Sequence, residues 1–147
     1  FAVEQFTLGY TMPILGSASG FCILAFMQPE KRQLLLDTLL LSENGNLEKY
    51  DQMTIQRELK TVKENGYAVN IRTRRYTDQT AISVPIINAD SQIKGALTVR
   101  YSTTAYEINE AIKLFVPSLN DACAEIASRI DLHIKRQANA FSSANKI

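Results

Sequence analysis

The sequence predicts an α+β fold in which helices cover an antiparallel sheet. Three helix-like segments succeed one another early in the chain, three strand-like segments follow with short connections, and one long helix-like segment comes last. Helices and strands therefore do not alternate as they do in a parallel β–α–β fold. The helices are instead segregated around the sheet.

A strand is expected before the helices, over residues 3–11, where apolar and polar residues alternate. The small-residue turn at 16–20 then leads into a short buried helix over 21–27. Ser17 or Ser19 is the natural N-cap of this helix, because a hydroxyl oxygen can accept a hydrogen bond from a free N–H of the first turn.

Two further helices are predicted from their end signals. Pro29 begins the second, since proline suits the first helical position, and the polar residues 43–46 end it. Leucines within 30–42 outnumber the positions of one buried face, so part of this helix is expected at an interface between subunits. Asp51 caps the third helix, which ends at Gly66 with glycine in the left-handed conformation.

Three strands and a long helix complete the predicted domain. The strands are expected over 67–73, 80–87 and 93–101. Apolar residues recur at helical spacing over 105–135, and Pro117 is expected to kink or split this helix. The domain is therefore placed at 1–136, and the polar residues 137–147 are expected to form a frayed tail.

The three strands divide their side chains between two different faces, because successive residues point to opposite sides. One face is continuously apolar and must be covered, most simply by the long C-terminal helix. It carries Tyr67, Val69, Ile71, Ile82, Val84, Ile86, Leu97, Val99 and Tyr101. The opposite face is small and polar. It carries Ala68, Asn70, Arg72, Ala81, Ser83, Pro85, Ala96, Thr98 and Arg100.

Two interpretations of the small polar face remain open. An antiparallel sheet commonly has one solvated face. Such a face usually carries long polar side chains, however, and here Ala and Ser occupy the strand centres. The leucine-rich helices also need a surface on which to pack. We therefore expect a ligand cavity between the helical segment and this face of the sheet.

Composition and charge exclude several kinds of partner. The chain has 147 residues, and its 46% hydrophobic content is ordinary for one globular domain. The net charge is +1, so no strong field attracts the chain to DNA or anionic lipid. No apolar run approaches a membrane span, and we expect no membrane partner. Two cysteines and one histidine are too few for a disulfide scaffold or a zinc site, so no metal is expected.

Catalysis has little support in the sequence. His133 lies on the exposed side of the last predicted helix, outside any motif of a nucleophile or an acid. Cys22 and Cys123 fall in apolar helical stripes and are expected to be buried core thiols. No glycine motif for phosphates or dinucleotides occurs. We expect neither an enzyme nor a cofactor.

A basic cluster has two interpretations. Arg72, Arg74 and Arg75 follow one another closely at the end of the first strand of the three. They are either a solvated hairpin end, or Arg72 on the cavity face helps to bind an anion while Arg74 and Arg75 lie toward solvent.

Four short motifs and a final helix stripe occur in order between residues 3 and 135. They are Pro13-x-x-x-Ser17-Ala18-x-Gly20-x-x-x-Leu24-Ala25-Phe26, Glu64-Asn65-Gly66-Tyr67-Ala68, Ile82-Ser83-Val84-Pro85-Ile86, Gly95-Ala96-Leu97-Thr98-Val99 and Leu119-x-x-Ala122-x-x-x-Ile126. Together they resemble the effector-binding domain of IclR-type transcriptional regulators.

The resemblance implies a cytoplasmic ligand-sensing domain with a GAF/profilin-like α+β fold. It also implies an N-terminal winged helix-turn-helix domain that binds promoter DNA and is absent from this chain. Because the chain begins at Phe1, we expect it to be a piece of a longer protein. The resemblance further implies a homodimer or homotetramer. By position, the matching effector-site residues are Ser17, Ala18, Ser19, Asn70, Ala81, Thr98 and Arg100, and the same sheet face adds Arg72 and Ser83.

Two departures from the family pattern concern charge. Carboxylates that the family often has after the Gly-Tyr-Ala corner are replaced by the basic stretch 70–75, and a Ser-x-Ser pattern by Thr98-Val99-Arg100. These features are similar to the branch of IclR-type activators that respond to aromatic acids. Arg100 on the small face is expected to pair with an effector carboxylate. The alternative is that its side chain reaches solvent at the strand end.

Two other functions remain open. The chain could be a GAF-like sensor of another small molecule, which requires a bound nucleotide or chromophore. It could also be an oligomerisation module alone, which predicts a filled interior at Ala81, Ala96 and Thr98.

Overall fold

The computed structural model of the chain describes residues 9, 11, 13–41, 51–74 and 77–144. Its elements are α1 (Ala18–Phe26), α2 (Pro29–Leu41), α3 (Gln52–Asn65), β1 (Ala68–Arg74), β2 (Thr77–Ile87), β3 (Ile93–Ser102) and α4 (Ile108–Ala144). The predicted α+β class is confirmed. The strand expected over 3–11 lies outside the described residues except for Gly9 and Thr11, neither of which is in a strand. The expected helix end at 43–46 and the side chains of the basic cluster also lie outside what is described.

The described strands form one antiparallel sheet in the order β1-β2-β3. In this register, a residue of β2 has one partner on β1 and one on β3, and the three form a row across the sheet. Val69, Ile82 and Val99 lie side by side, and the next row consists of Asn70, Ala81 and Arg100. Because neighbouring rows face opposite sides, this register produces the apolar face and the small polar face that the sequence predicts.

The long helix α4 covers the apolar face, as predicted. Ile82 is fully buried there, and Tyr101 packs beside it. The ring of Phe115 on α4 lies 5.7 Å from that of Tyr101 and 5.6 Å from that of Tyr106, between ring centroids. This aromatic cluster fills the space between the sheet and the first turns of α4.

The helix α1 packs on the opposite face, and α3 packs behind α1. Cys22 and Leu24 of α1 are fully buried between the sheet and α3, which contributes Ile55 and Leu59. The small side chains of the sheet allow this arrangement, since Ala68 is itself buried against the helices. The sheet therefore has two helical layers, α1 and then α3, on this side and the single helix α4 on the other.

The predicted helix ends are found where the capping residues indicate. Ser17 is the N-cap of α1, so this helix begins at Ala18, three residues before the predicted start. Asp51 caps α3 by accepting hydrogen bonds from the backbone N–H of Thr54 (2.8 Å) and from its hydroxyl (2.9 Å). Gly66 ends α3 at φ +80°, a left-handed conformation that glycine adopts without strain.

The helix α4 differs from its prediction in two respects. Pro117 lies within it but does not split it; the residue is exposed, so the carbonyl group that proline leaves without a donor can bind water. The helix also continues to Ala144, beyond the tail expected from residue 137. Hydrogen bonds one turn apart, such as that between His133 and Gln137 (3.0 Å), support this extension. None of the helices in the described ranges is both long and apolar enough to cross a membrane.

One buried polar atom on the α4 side leads to a stability prediction. Tyr101 is 9% exposed, and its hydroxyl has no hydrogen-bond partner among the described residues. A buried hydroxyl without a partner is destabilising, so Tyr101→Phe is expected to raise the free energy of unfolding by about 1 kcal/mol in urea titration. Tyr106→Phe, at a partly buried ring of the same cluster, is the control and is expected to give no gain. A loss of stability in Tyr101→Phe would contradict the prediction.

Candidate functional site

The turn before α1 fixes the first wall of the candidate site. The Ser17 hydroxyl accepts a hydrogen bond from the N–H of Gly20 (3.1 Å) and donates one to the carbonyl oxygen of Pro13 (2.8 Å). The side chain is buried, so its proton is committed within the turn. Ser17 was predicted both as an N-cap and as a site residue, and its hydroxyl acts as a capping group.

Close packing in this turn requires glycine at position 20. A Cβ atom there would lie 2.6 Å from the carbonyl carbon of Ile14 and 2.7 Å from the Ser17 oxygen. Gly16 has φ +86°, which reverses the chain so that it can fold back on α1. The turn and the first turn of α1 therefore form one compact unit.

The sheet supplies the second wall and holds the turn in place. The side-chain amide of Asn70 donates a hydrogen bond to the carbonyl oxygen of Gly16 (2.5 Å). Asn70 belongs to the cross-strand row with Ala81 and Arg100. The small side chain of Ala81 in the middle of this row leaves room between its two polar neighbours.

A narrow cleft separates the two walls. It is lined by Ser17, Ala18, Ser19, Asn70, Ala81, Thr98 and Arg100. Its volume is about 20 Å³, and the adjoining space near Gln79 is about 10 Å³. Each holds about one water molecule. The structure thus brings together seven of the nine residues that the sequence analysis assigned to a site, but around a nearly closed cleft.

The other two predicted residues do not line this cleft. Ser83 is fully buried beneath it, and its hydroxyl lies 2.9 Å from that of Thr98 and donates to the carbonyl oxygen of Leu97 at 3.4 Å. Ser83 therefore orients Thr98. Arg72 belongs to β1, opposite Gln79, and its side chain is outside those described.

Gln79 was not predicted as part of the site. It adjoins Asn70 and Arg100 and lies two residues before Ala81 on β2, on the same face. The period-two pattern could have identified it, but the predicted strand began one residue too late.

The two cysteines of the chain lie outside the lining of the cleft. Burial raises the pKa of the Cys22 thiol to about 12, although its hydrogen bond with Ser83 acts in the opposite direction. Burial likewise raises the pKa of Cys123. Both thiols therefore remain protonated and unreactive at neutral pH. Within the described ranges, no three His, Cys, Asp or Glu side chains lie together where they could hold a metal ion.

The cleft is rich in groups that can bind an anion. Arg100 is half-buried and carries a permanent positive charge. The amide of Asn70 and the hydroxyl of Ser19 add hydrogen-bond donors from both walls. The first turn of α1 also directs the positive end of its helix dipole to this cleft.

Comparison with known proteins gives a consistent result. The model of the family described as the C-terminal domain of the bacterial transcriptional regulator IclR matches residues 4–129. A double mutant of the PobR transcription factor inducer-binding domain from Acinetobacter, in complex with 3-hydroxybenzoic acid, is 20% identical with a TM-score of 0.69. That match covers 86% of this chain and 73% of that chain.

Two more solved structures share the fold. An IclR transcriptional regulator from Alicyclobacillus acidocaldarius is 23% identical with a TM-score of 0.67, over 84% of this chain and 48% of that chain. The C-terminal domain of the Escherichia coli regulator KdgR is 18% identical with a TM-score of 0.65, over 79% and 70% respectively. The chain therefore spans about half the length of the longer regulators that it matches, such as the one from Alicyclobacillus (48%).

The packing at Gly20 leads to a second stability prediction. Gly20→Ala is expected to lower the free energy of unfolding by about 1–3 kcal/mol, because the added methyl group overlaps rigid backbone. Gly95→Ala is the matched control, since a Cβ atom there meets only Ile86 Cδ1 at 3.9 Å. Thermal unfolding followed by circular dichroism measures both variants. Equal melting temperatures for the two would show that the turn can move away from α1.

Proposed function

We propose that this chain is a ligand-sensing domain that binds a small organic acid in the cleft between α1 and the sheet. The premise is that the chain belongs to the IclR C-terminal family of bacterial transcriptional regulators. The observation that carries this proposal is the row of Asn70, Ala81 and Arg100, which faces the first turn of α1. The Arg100 guanidinium group, the Asn70 amide and the N-terminus of α1 surround a space whose base is the methyl group of Ala81.

An acid is the ligand class that this arrangement favours. The guanidinium group of Arg100 matches the geometry of a carboxylate and can bind both of its oxygens. Asn70 and Ser19 can donate further hydrogen bonds to an anion or to a hydroxyl group of the ligand. The PobR domain, which shares the fold, is known in complex with 3-hydroxybenzoic acid, and we extend the aromatic acid class to this chain as part of the proposal.

The cleft must widen to admit such a ligand. Its volume of about 20 Å³ is too small for any organic acid, so binding requires the turn and the sheet to move apart. The hydrogen bond from Asn70 to Gly16 crosses the cleft and ties the turn to the sheet. A ligand that replaces this bond with its own contacts would separate the turn from the sheet, and that displacement is the proposed signal.

An oligomerisation module without a ligand is the second candidate, and the small cleft favours it. A filled interior at Ala81, Ala96 and Thr98 would be its structural basis. One feature opposes it: Thr98 is exposed, so the structure is not filled at that position. The two candidates differ in one outcome, which is whether any acid raises the melting temperature.

In the whole regulator, the proposed domain acts on DNA through an N-terminal DNA-binding domain and assembles as a dimer or tetramer. The net charge of +1 is consistent with DNA contacts that lie elsewhere. Leu34 on α2 is 70% exposed, which supports the assignment of part of this helix to a contact with a second copy.

The ligand prediction centres on Arg100. Benzoate and its hydroxylated derivatives are expected to raise the melting temperature of the chain. For the derivative that raises it most, calorimetric titration is expected to give a Kd at least about tenfold higher for Arg100→Ala than for the parent chain, because a charge-assisted hydrogen bond is lost. Arg129→Ala is the control, since Arg129 pairs with Glu125 on the exposed surface of α4.

Two results would contradict the proposed function. If Arg100→Ala binds the acid as tightly as the parent chain, the carboxylate binds elsewhere. If no acid of the panel changes the melting temperature, the oligomerisation module becomes the better explanation.

The assembly prediction centres on Leu34. The chain is expected to sediment as a dimer or larger at high micromolar concentration, and Leu34→Glu is expected to shift it toward the monomer, because a charge cannot be buried in an apolar contact. Met53→Glu, at the 84% exposed Met53 of α3, is the control and is expected to leave assembly unchanged. A monomeric parent chain would contradict the proposed assembly.

A further inference from the structure

A second and larger groove lies at the other end of α1, away from the cleft. It runs between the last residues of α1, the first turn of α2 and the last turns of α3. It is lined by Ala25, Met27, Pro29, Arg32, Gln56, Leu59, Lys60, Lys63 and Glu64. Its volume is about 440 Å³, which falls in the range of small-molecule sites.

The walls of this groove are cationic. Arg32 from α2 and both Lys60 and Lys63 from α3 line it, against one acid, Glu64. Glu64 lies 3.8 Å from the ammonium group of Lys60, and both side chains are exposed, so this ion pair is weak. The groove therefore keeps an excess of positive charge.

Two of the three cations are held in position at the groove. The guanidinium group of Arg32 donates a hydrogen bond to the carbonyl oxygen of Leu24 at 3.4 Å. The ammonium group of Lys63 lies 4.2 Å above the centre of the Phe26 ring. Lys63 also complements the C-terminal end of the α3 dipole, and Arg32 complements that of α1 through the Leu24 carbonyl oxygen, so two helix ends direct positive charge to the groove.

The floor of the groove is apolar. Ala25 and Leu59 are buried core residues that form its base, and Met27 adds a flexible apolar side chain at its edge. An occupant that matches both floor and walls has a negative charge at one end and a short apolar body. Fully hydrophilic anions would leave the floor unused, and neutral apolar molecules would leave the cations unused.

We propose that this groove binds a small organic anion with a short apolar body, at a site separate from the cleft that contains Arg100. The carboxylate or phosphate of the ligand contacts Lys60, Lys63 and Arg32, and its apolar body lies over Ala25 and Leu59. The site goes beyond the proposed function, since neither its residues nor its ligand depend on the cleft.

Hexanoate is the probe for this site, because it combines one carboxylate with a short aliphatic chain. Titration of the ¹⁵N-labelled chain is expected to shift the backbone amide signals of Met27, Arg32, Lys60 and Lys63. Hexanol, without charge, and inorganic phosphate, without an apolar body, are both expected to bind several-fold more weakly. The shifts are expected to weaken as salt is raised, because exposed charges are screened.

Variants separate this site from general surface binding and from the cleft. Lys60→Gln/Lys63→Gln is expected to raise the Kd of hexanoate about fivefold, since two surface ion pairs are lost. Lys113→Gln, on the exposed surface of α4, is the matched control and is expected to change nothing. Arg100→Ala is expected to retain the shifts at the groove even where it abolishes binding of an acid in the cleft.

Three results would overturn the proposal. The first is that hexanoate shifts no signals at the groove. The second is that the double variant binds hexanoate as tightly as the parent chain. The third is a combination of two observations: the double variant without ligand differs from the parent chain in sedimentation, and neither protein binds hexanoate at the groove. This combination would mean that a second copy of the chain covers the groove.

Discussion

The close contact between the turn at 13–16 and the first turn of α1 determines where the candidate site lies. Gly20 permits this contact because it has no Cβ atom, and the Ser17 hydroxyl closes it with two hydrogen bonds. In the same turn, the carbonyl oxygen of Gly16 accepts a hydrogen bond from Asn70 on the sheet. Without this unit, α1 could still bury its apolar residues, but its N-terminus would have no fixed distance from Arg100.

Both faces of the sheet are closely packed, except beside the first turn of α1. On the α4 side, large aliphatic and aromatic side chains interlock around Ile82 and Tyr101, and a change of size there is costly. On the α1 side, Cys22 and Leu24 are also fully buried, but Ala81 leaves a gap beside the first turn of α1, and the hydrogen bond from Asn70 to Gly16 spans it. A separation of the turn from the sheet would therefore leave both cores intact.

Local patterns predicted most of the fold. The caps at Ser17, Asp51 and Gly66 and the alternation of the strands are encoded by neighbouring residues, and the structure confirms them. Seven of the residues predicted from alternation and from the family resemblance line the cleft, and their role in binding stays a prediction. The volume of the cleft, the role of Ser83 beneath Thr98 and the groove around Lys60 did not follow, because they depend on distances between elements far apart in the chain. The extension of α4 to Ala144 shows that a segment without an apolar period can still be helical when it continues an existing helix and contains alanines.

The short helix α1 forms a wall of both the cleft and the groove. It has nine residues, about 13 Å of helix, so a displacement at its first turn reaches its last turn almost undiminished. If both proposed sites bind ligands that each favour one position of α1, their occupancies are thermodynamically linked. Each ligand then changes the affinity for the other by the same factor. A cell with two metabolites of this kind could integrate them through a single helix, without a contact between the molecules themselves.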